Sequence, residues 1–320
     1  MTKTTKDAQA LRARAMEVEF HLQTQVRGQL QSIRLLWASV LAGGHALLED
    51  LPGTGKTTLA KAMAKAISAQ FARVQFTPDL MPSDITGTTV YNPREQSFDF
   101  HQGPIFCNVL LADEINRASP RTQSALLEAM EERQVSVEGK SCVLPHPFFV
   151  LATENPVEMH GTYPLPEAQL DRFMCRLSLG YVSEDEEVGI LLSKLEPPKT
   201  SALSFVPLSL DELVEMQAVC SQAHVSEPMA RYIARVVRAT RTNPAKVAMG
   251  ASARGGLAVM RMSQSLAFLE GRDHVLPRDA QACAMAALAH RIALADTARY
   301  DGSRGEQIVQ QALDSVHAPS

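Results

Sequence analysis

Residues 50–57 read Asp50-Leu-Pro-Gly-Thr-Gly-Lys-Thr57. An apolar run over 45–49 precedes them, and an Ala- and Lys-rich segment over 57–68 follows. The first reads as a strand and the second as a helix, which is the context a phosphate-binding loop requires. Gly53 and Gly55 let backbone N–H groups converge on phosphate oxygens without a Cβ in the way, and Thr54 and Thr58 lie in the same cradle. Lys56 supplies a point charge for the β- and γ-phosphates, and the Thr57 hydroxyl can ligate magnesium at the positive end of the helix. The full pattern has glycine at the first position, where this chain has Asp50. That residue starts the loop and makes no phosphate contact, but a carboxylate there bears on the loop's geometry.

A second run, Val109-Leu-Leu-Ala-Asp113-Glu114, is an apolar strand ending in two carboxylates. It lacks polar alternation, as expected of a central parallel strand buried on both faces. Asp113 therefore falls at the carboxyl edge of the sheet, where open α/β sheets bind ligands, and can hold magnesium through its waters. Glu114 is the group to polarise an attacking water. Asn155 closes a further strand near 148–153 and can orient that water against the γ-phosphate. The cofactors expected are ATP and magnesium.

Strands near 71–76, 109–112, 148–152 and 176–179 alternate with helical segments, which predicts a parallel sheet with helices on both faces. Residues 1–43 read as helical. Residues 77–104 read as an elaborated loop or hairpin, and residues 134–144 as a hairpin turning at Gly139-Lys140. Ser119 with Pro120 begins a helix, as do Ser183 with Glu186 and Ser209 with Glu212. Glu196-Pro197-Pro198-Lys199 breaks the chain, and from 208 onward only helix patterns occur. The organisation expected is a nucleotide-binding core over 1–181, a linker over 182–207 and a helical domain over 208–320.

Bulk properties narrow the function classes. The chain has 320 residues, 45% hydrophobic and 21% charged, ordinary values for a globular protein of about two domains. Net charge is -4, from 31 basic and 35 acidic residues. That offers no general attraction for nucleic acid or an anionic membrane. The longest apolar runs, such as 107–112, fall far short of the ~20 residues a membrane helix needs. The mixed polar N-terminus carries no secretory signal. Cys107, Cys142, Cys175, Cys220 and Cys283 are scattered and form no CxxC. Reduced, mostly buried thiols in a cytoplasmic protein are expected. His101, His146, His160 and His290 lack metal-ligand spacing.

Four stretches are more specific than the loop. They are Leu111-Ala-Asp-Glu-Ile-Asn-Arg-Ala118, Thr122-Gln-Ser-Ala-Leu-Leu-Glu-Ala-Met-Glu-Glu132, Gly161-Thr-Tyr-Pro-Leu-Pro-Glu-Ala-Gln-Leu-Asp-Arg-Phe173 and Gly250-Ala-Ser-Ala-Arg254. On these the chain resembles the MoxR family of AAA+ ATPases, from about residue 30 to 295. The resemblance implies an α/β AAA+ core followed by a small all-helical lid. Asn155 would be the polar sensor of the γ-phosphate. Arg172 would be the arginine finger reaching a neighbouring subunit, with Arg117, Arg121, Arg133 and Arg176 as competitors for that role. Arg254 would be the lid's sensor, joining Lys56 in neutralising the transferring group. Gly28 and Gln29, in Val26-Arg-Gly-Gln29, resemble the segment lining the adenine pocket. Residues 77–104 and 133–144 would be the family's two inserts, facing a ring pore or a partner.

The resemblance further implies a homo-oligomeric ring, most simply a hexamer. It implies a von Willebrand factor A-type partner and chaperone-like remodelling, or metal-cofactor insertion into a client protein. Three positions depart from the family: Ala253 stands where Pro is frequent, Glu154 where Gln is, and His160 where an acid is. The competing readings are a nucleic-acid motor on the same core and a nucleotide-gated adaptor with little turnover.

Overall fold

The computed structural model describes residues 3–51, 53–156, 162–195 and 205–319. Two helices lead in, α1 (Lys3–Gln25) and α2 (Leu30–Leu41). The sequence suggested unbroken helix here, but the chain turns between them, with Gly28 at φ +79°. Strand β1 (Ala46–Glu49) passes through the glycine-rich loop into α3 (Lys56–Ala66), followed by β2 (Phe71–Gln75). A short α4 (Pro82–Thr86) and the hairpin of β3 (Gly87–Asn92) and β4 (Ser97–Gln102) occupy the stretch read as an elaborated loop or hairpin. Next come β5 (Val109–Asp113) and α5 (Pro120–Glu132), whose cap Ser119 accepts from the Thr122 amide. The hairpin of β6 (Gln134–Val137) and β7 (Lys140–Val143) turns through Glu138 and Gly139, both at positive φ. This is one residue earlier than expected, because a two-residue turn matching strand twist needs φ > 0 at both positions.

Strand β8 (Phe149–Glu154), α6 (Glu167–Leu170) and β9 (Cys175–Leu177) complete the sheet. Its order is β2-β5-β8-β1-β9, all parallel. Strand residues divide between two apolar clusters. Ala46, Leu48, Val109, Leu111, Phe149 and Leu151 join a cluster with α2 and α3. Leu47, Leu110, Ala112, Val150 and Ala152 join another with Leu126, Leu127 and Met130 of α5. Burial on both faces is why these strands read as unbroken apolar runs. Truncating Leu111, fully buried at the centre, to Ala would cost about 2–5 kcal/mol.

The rest of the chain is α7 (Glu184–Leu195), α8 (Leu210–Ser221), α9 (Glu227–Ala239), β10 (Val247–Met249), α10 (Ala253–Leu269), α11 (Pro277–Leu288), β11 (Ala293–Leu294), α12 (Asp296–Tyr300) and α13 (Gly305–Ser315). Two details differ from expectation. The stretch read as a linker contains α7, with Glu184, Asp185, Glu186 and Glu187 in its first turn, where the helix dipole favours acids. The helical region also contains a small antiparallel pair, β10 with β11, too short to show a period in sequence. The capping box of Ser209 and Glu212 forms as expected. The Pro-Pro break at 197–198, His160 and the start of the Gly161 motif lie outside the described residues.

The helical region is not a free appendage. Leu213, Met216, Tyr232, Val259 and Met262 belong to the same apolar cluster as α2 and α3. Helix α1 joins them through Ala15, Val18 and Leu22, all fully buried along one face. Arg34 of α2 pairs with Glu19 of α1 and with Glu270 at the end of α10.

Candidate active site

The sequence places the loop after β1, Glu114 after β5 and Asn155 after β8. Because these strands are parallel neighbours, all three meet at one edge of the sheet. Gly53 and Gly55 take φ of +88° and +89°, which an L side chain rarely adopts. A Cβ added at Gly53 would meet nothing within 4 Å, so the loop's backbone is open to an anion there. Lys56 Nζ donates to the carbonyls of Asp50 (2.7 Å) and Leu51 (3.3 Å). Thr57 is half-buried in the first turn of α3, and Thr58 is exposed.

Asp50, the departure from the usual loop pattern, is buried and fully used. Its carboxylate accepts from Ser178 Oγ (2.8 Å) and from the amides of Leu179 (2.6 Å) and Gly180 (2.9 Å). The carboxylate therefore ties the start of the loop to the chain leaving β9. Close by, Val26 lies against Gly55 and the Glu186 carboxylate lies against Gly28. Residues 26–29 thus sit between the loop and α7.

Asp113 Oδ1 accepts from Thr153 Oγ1 (2.7 Å), and Oδ2 accepts from the Arg73 guanidinium (2.7 Å). With both oxygens engaged, Asp113 could reach a divalent cation only through waters, and the Thr57 hydroxyl is the group that could ligate one directly. Glu114 is held at φ 57°, and its amide donates to Thr153 Oγ1 (2.8 Å). Its carboxylate accepts from Gln75 Nε2 (2.7 Å) and Arg117 (2.9 Å). Asn155 is buried beside them. Thr153 thus links both acids, a role the sequence did not disclose. Arg73 and Gln75 also went unread, although two polar residues at i and i+2 on a strand beside the acidic pair were a usable signal.

Next to Asn155, burial pushes the Glu154 carboxyl up to about 7; nearby Glu49 pushes the same way, and Arg176 opposes it. Arg176 pairs with Glu49 (2.9 Å) and Glu306 of α13 (2.7 Å), so it is committed within its own chain. Arg117 is likewise paired to Glu114.

Arg172 and Arg254 are brought together, but away from the loop. Arg254 donates to Glu131 Oε1 (2.5 Å), and Arg172 Nε lies 2.9 Å from Glu131 Oε2. Glu131 lies in the last turn of α5, which runs back from the carboxyl edge to the amino edge. There Met130 and Arg133 contact His45 and Gly43, which precede β1. A four-residue strand alone sets the two edges ~13 Å apart. Arg254 therefore does not join Lys56 within this chain.

The arginine pair is anchored by the helical region. Arg291, almost wholly buried, donates Nε to Asp171 (2.7 Å) and its other nitrogens to the carbonyls of Asp171, Phe173, Met174 and Ala287. Ser252, the cap of α10, donates to the same carboxylate. Burial lowers the Arg291 pKa, and the Asp171 carboxylate opposes that shift.

This chain is similar to known proteins over most of its length. Residues 45–175 match the ATPase family associated with various cellular activities (AAA), and residues 238–312 match the AAA lid domain. Chaperone MoxR1 of Mycobacterium tuberculosis is 40% identical, over 94% of this chain and 81% of its own length. Protein MoxR of Paracoccus denitrificans is 33% identical over 96% and 95%. The uncharacterised protein YeaC of Bacillus subtilis is 44% identical over 98% and 97%. The crystal structure of a candidate ATPase from Cytophaga hutchinsonii superposes with a TM-score of 0.89 at 36% identity, covering 98% of both chains.

Proposed function

The chain belongs to the MoxR family of AAA+ ATPases, and on that premise we propose that it hydrolyses ATP with magnesium in a ring of copies, most simply a hexamer. The observation that carries the reading is the division of the charged machinery between two edges of one sheet. The loop, Asp113, Glu114 and Asn155 lie at one edge, and Arg172 and Arg254 at the other. Each chain thus carries two unlike halves. Head-to-tail association brings the arginines of one copy to the loop of the next and closes into a ring.

In this reading Gly53, Thr54, Gly55 and Thr58 cradle the phosphates, and Lys56 exchanges its two backbone carbonyls for phosphate oxygens. Residues 26–29, with Gly28 and Gln29, flank the base. Glu114 polarises a water in line with the γ-phosphate, Asn155 orients it, and Thr153 fixes both acids. Thr57 directly, and Asp113 through waters, would hold magnesium, which would supply charge neutralisation to the phosphates. The neighbour's Arg172 and Arg254 neutralise the charge spread over the transferring group. Loss of the γ-phosphate removes what those arginines bind. Since Arg291 joins the Arg172 segment to the helical domain, the change is passed to that domain.

The output falls on another protein. The relative named Chaperone MoxR1 supports chaperone-like remodelling of a client, and the family resemblance supports a von Willebrand factor A-type partner. A cytoplasmic location is part of the proposal, supported by five free cysteines, four of them buried. The test is magnesium-dependent ATPase per milligram over a wide range of protein concentration. Specific activity is expected to climb and then saturate. Full activity in a chain shown to be monomeric would overturn the shared site.

A further inference from the structure

The groove that holds Arg172 and Arg254 has a volume of about 320 Å³ and is short of carboxylates. Its Glu131 serves both of those arginines, and its Asp171 serves Arg291. Arg133 makes its hydrogen bonds with the Gly43 carbonyl and the His146 ring, neither of them a carboxylate. Arg261 is exposed, lines the same groove, and its guanidinium has no partner among the described residues. Two carboxylates against five guanidinium groups leave the groove strongly cationic.

Arg261 stands seven residues after Arg254 on α10, which is two turns along one face of the helix. The rise between them is ~10.5 Å, so two long side chains can converge on one polyphosphate. A planar guanidinium with all its donors free suits bidentate recognition of phosphate oxygens. A surface arginine is more often simply solvated, but this one lies in the groove of the two arginines already assigned to a neighbour's nucleotide.

We propose that Arg261 is a further phosphate-binding residue, acting on the ATP held by the loop of the next copy in the ring. The proposal rests on the shared-site reading above. The occupant of the groove is then the triphosphate presented by a second copy of this chain, and Arg261 adds to affinity and to charge neutralisation beside Arg254.

The test uses the full chain at a concentration where wild-type specific activity has saturated. Arg261→Ala leaves the fold intact, since its side chain holds nothing, and is expected to lower kcat/KM for ATP by about tenfold, the scale of a hydrogen-bonded charge contact. Arg261→Lys should recover part of the loss. Mixing Arg261→Ala with Lys56→Ala should give more activity than the sum of the two alone, because the second variant lends its intact groove to the first variant's intact loop. Arg172→Ala mixed with Lys56→Ala is the parallel experiment for the ring itself. If that pair recovers activity but Arg261→Ala turns over within twofold of wild type, the Arg261 proposal is wrong and the ring reading stands. If neither pair recovers, the shared site is wrong and the proposal goes with it. Unchanged ATPase in Arg261→Ala with loss of salt-sensitive DNA binding would assign the groove to nucleic acid instead.

Discussion

Asp50→Gly would give the loop the residue its pattern usually has, yet the structure makes this a damaging change. The Asp50 carboxylate is buried and accepts three hydrogen bonds, two of them from backbone amides. Ser178 and Gly180 are exposed and can turn to water, but the Leu179 amide belongs to a buried residue. An orphaned buried donor costs about 1–3 kcal/mol, and each exposed bond about 0.5–1.5 kcal/mol. The glycine adds about 0.5–1 kcal/mol of unfolded-chain entropy. These contributions come to about 2.5–7 kcal/mol. At roughly 2–4 °C per kcal/mol for domains of this size, the melting temperature should fall by about 5–28 °C. Asp50→Asn, which keeps one acceptor oxygen, should fall between. The assay is thermal unfolding without nucleotide, paired with the KM for ATP, because the freed segment leads from β9 toward α7 beside the loop. If Asp50→Gly melts within 2 °C of wild type, the carboxylate is not the tether described here.

Other perturbations separate the same forces. Glu154→Gln tests the raised carboxyl: a folded pKa of about 7 against about 4.5 unfolded means stability is complete below pH 4.5 and lost as pH rises through 7. The variant should therefore melt above wild type at pH 8 and level with it near pH 4.5; a pH-independent difference would contradict that cause. Arg291→Met breaks a buried ion pair and strands carbonyls at 171–174, so it should cost about 3–5 kcal/mol in chemical denaturation; a loss below 1 kcal/mol would mean the helical region is held elsewhere. Lys56→Ala should weaken ATP binding measured by titration, and unchanged affinity would remove the phosphate-loop assignment. Glu114→Gln should bind ATP but turn it over slowly, whereas near-normal turnover would assign the water to another base.

Much of the fold was readable because it rests on local chemistry. Glycines that must take positive φ, apolar strands without alternation and Ser-Pro or Ser-Glu helix starts are all set by a few adjacent residues. The parallel sheet, both hairpins and the meeting of the loop with Asp113, Glu114 and Asn155 follow from those signals plus strand order. The break at Gly28 was harder, because helical composition continues through it; the helix at 184–195 was read at its start, Ser183 with Glu186, but its extent was not, because Pro197 and Pro198 just beyond it marked the stretch as linker.

What the chain's order could not disclose is every contact made across distance. Asp50 looked like a flaw in the loop until residues 178–180, some 130 positions later, supplied its donors. Thr153 read only as the end of a strand until the sheet set it between two acids. Arg172 and Arg254 were legible as candidate site arginines, but only the run of α5 back to the amino edge decided that they sit away from their own loop. Sequence by itself determined which groups can do phosphate chemistry, because backbone freedom, charge and nucleophile activation belong to residue types. Tertiary structure decided which of those groups share a site, because side-chain reach is a few ångströms and only packing carries residues that close.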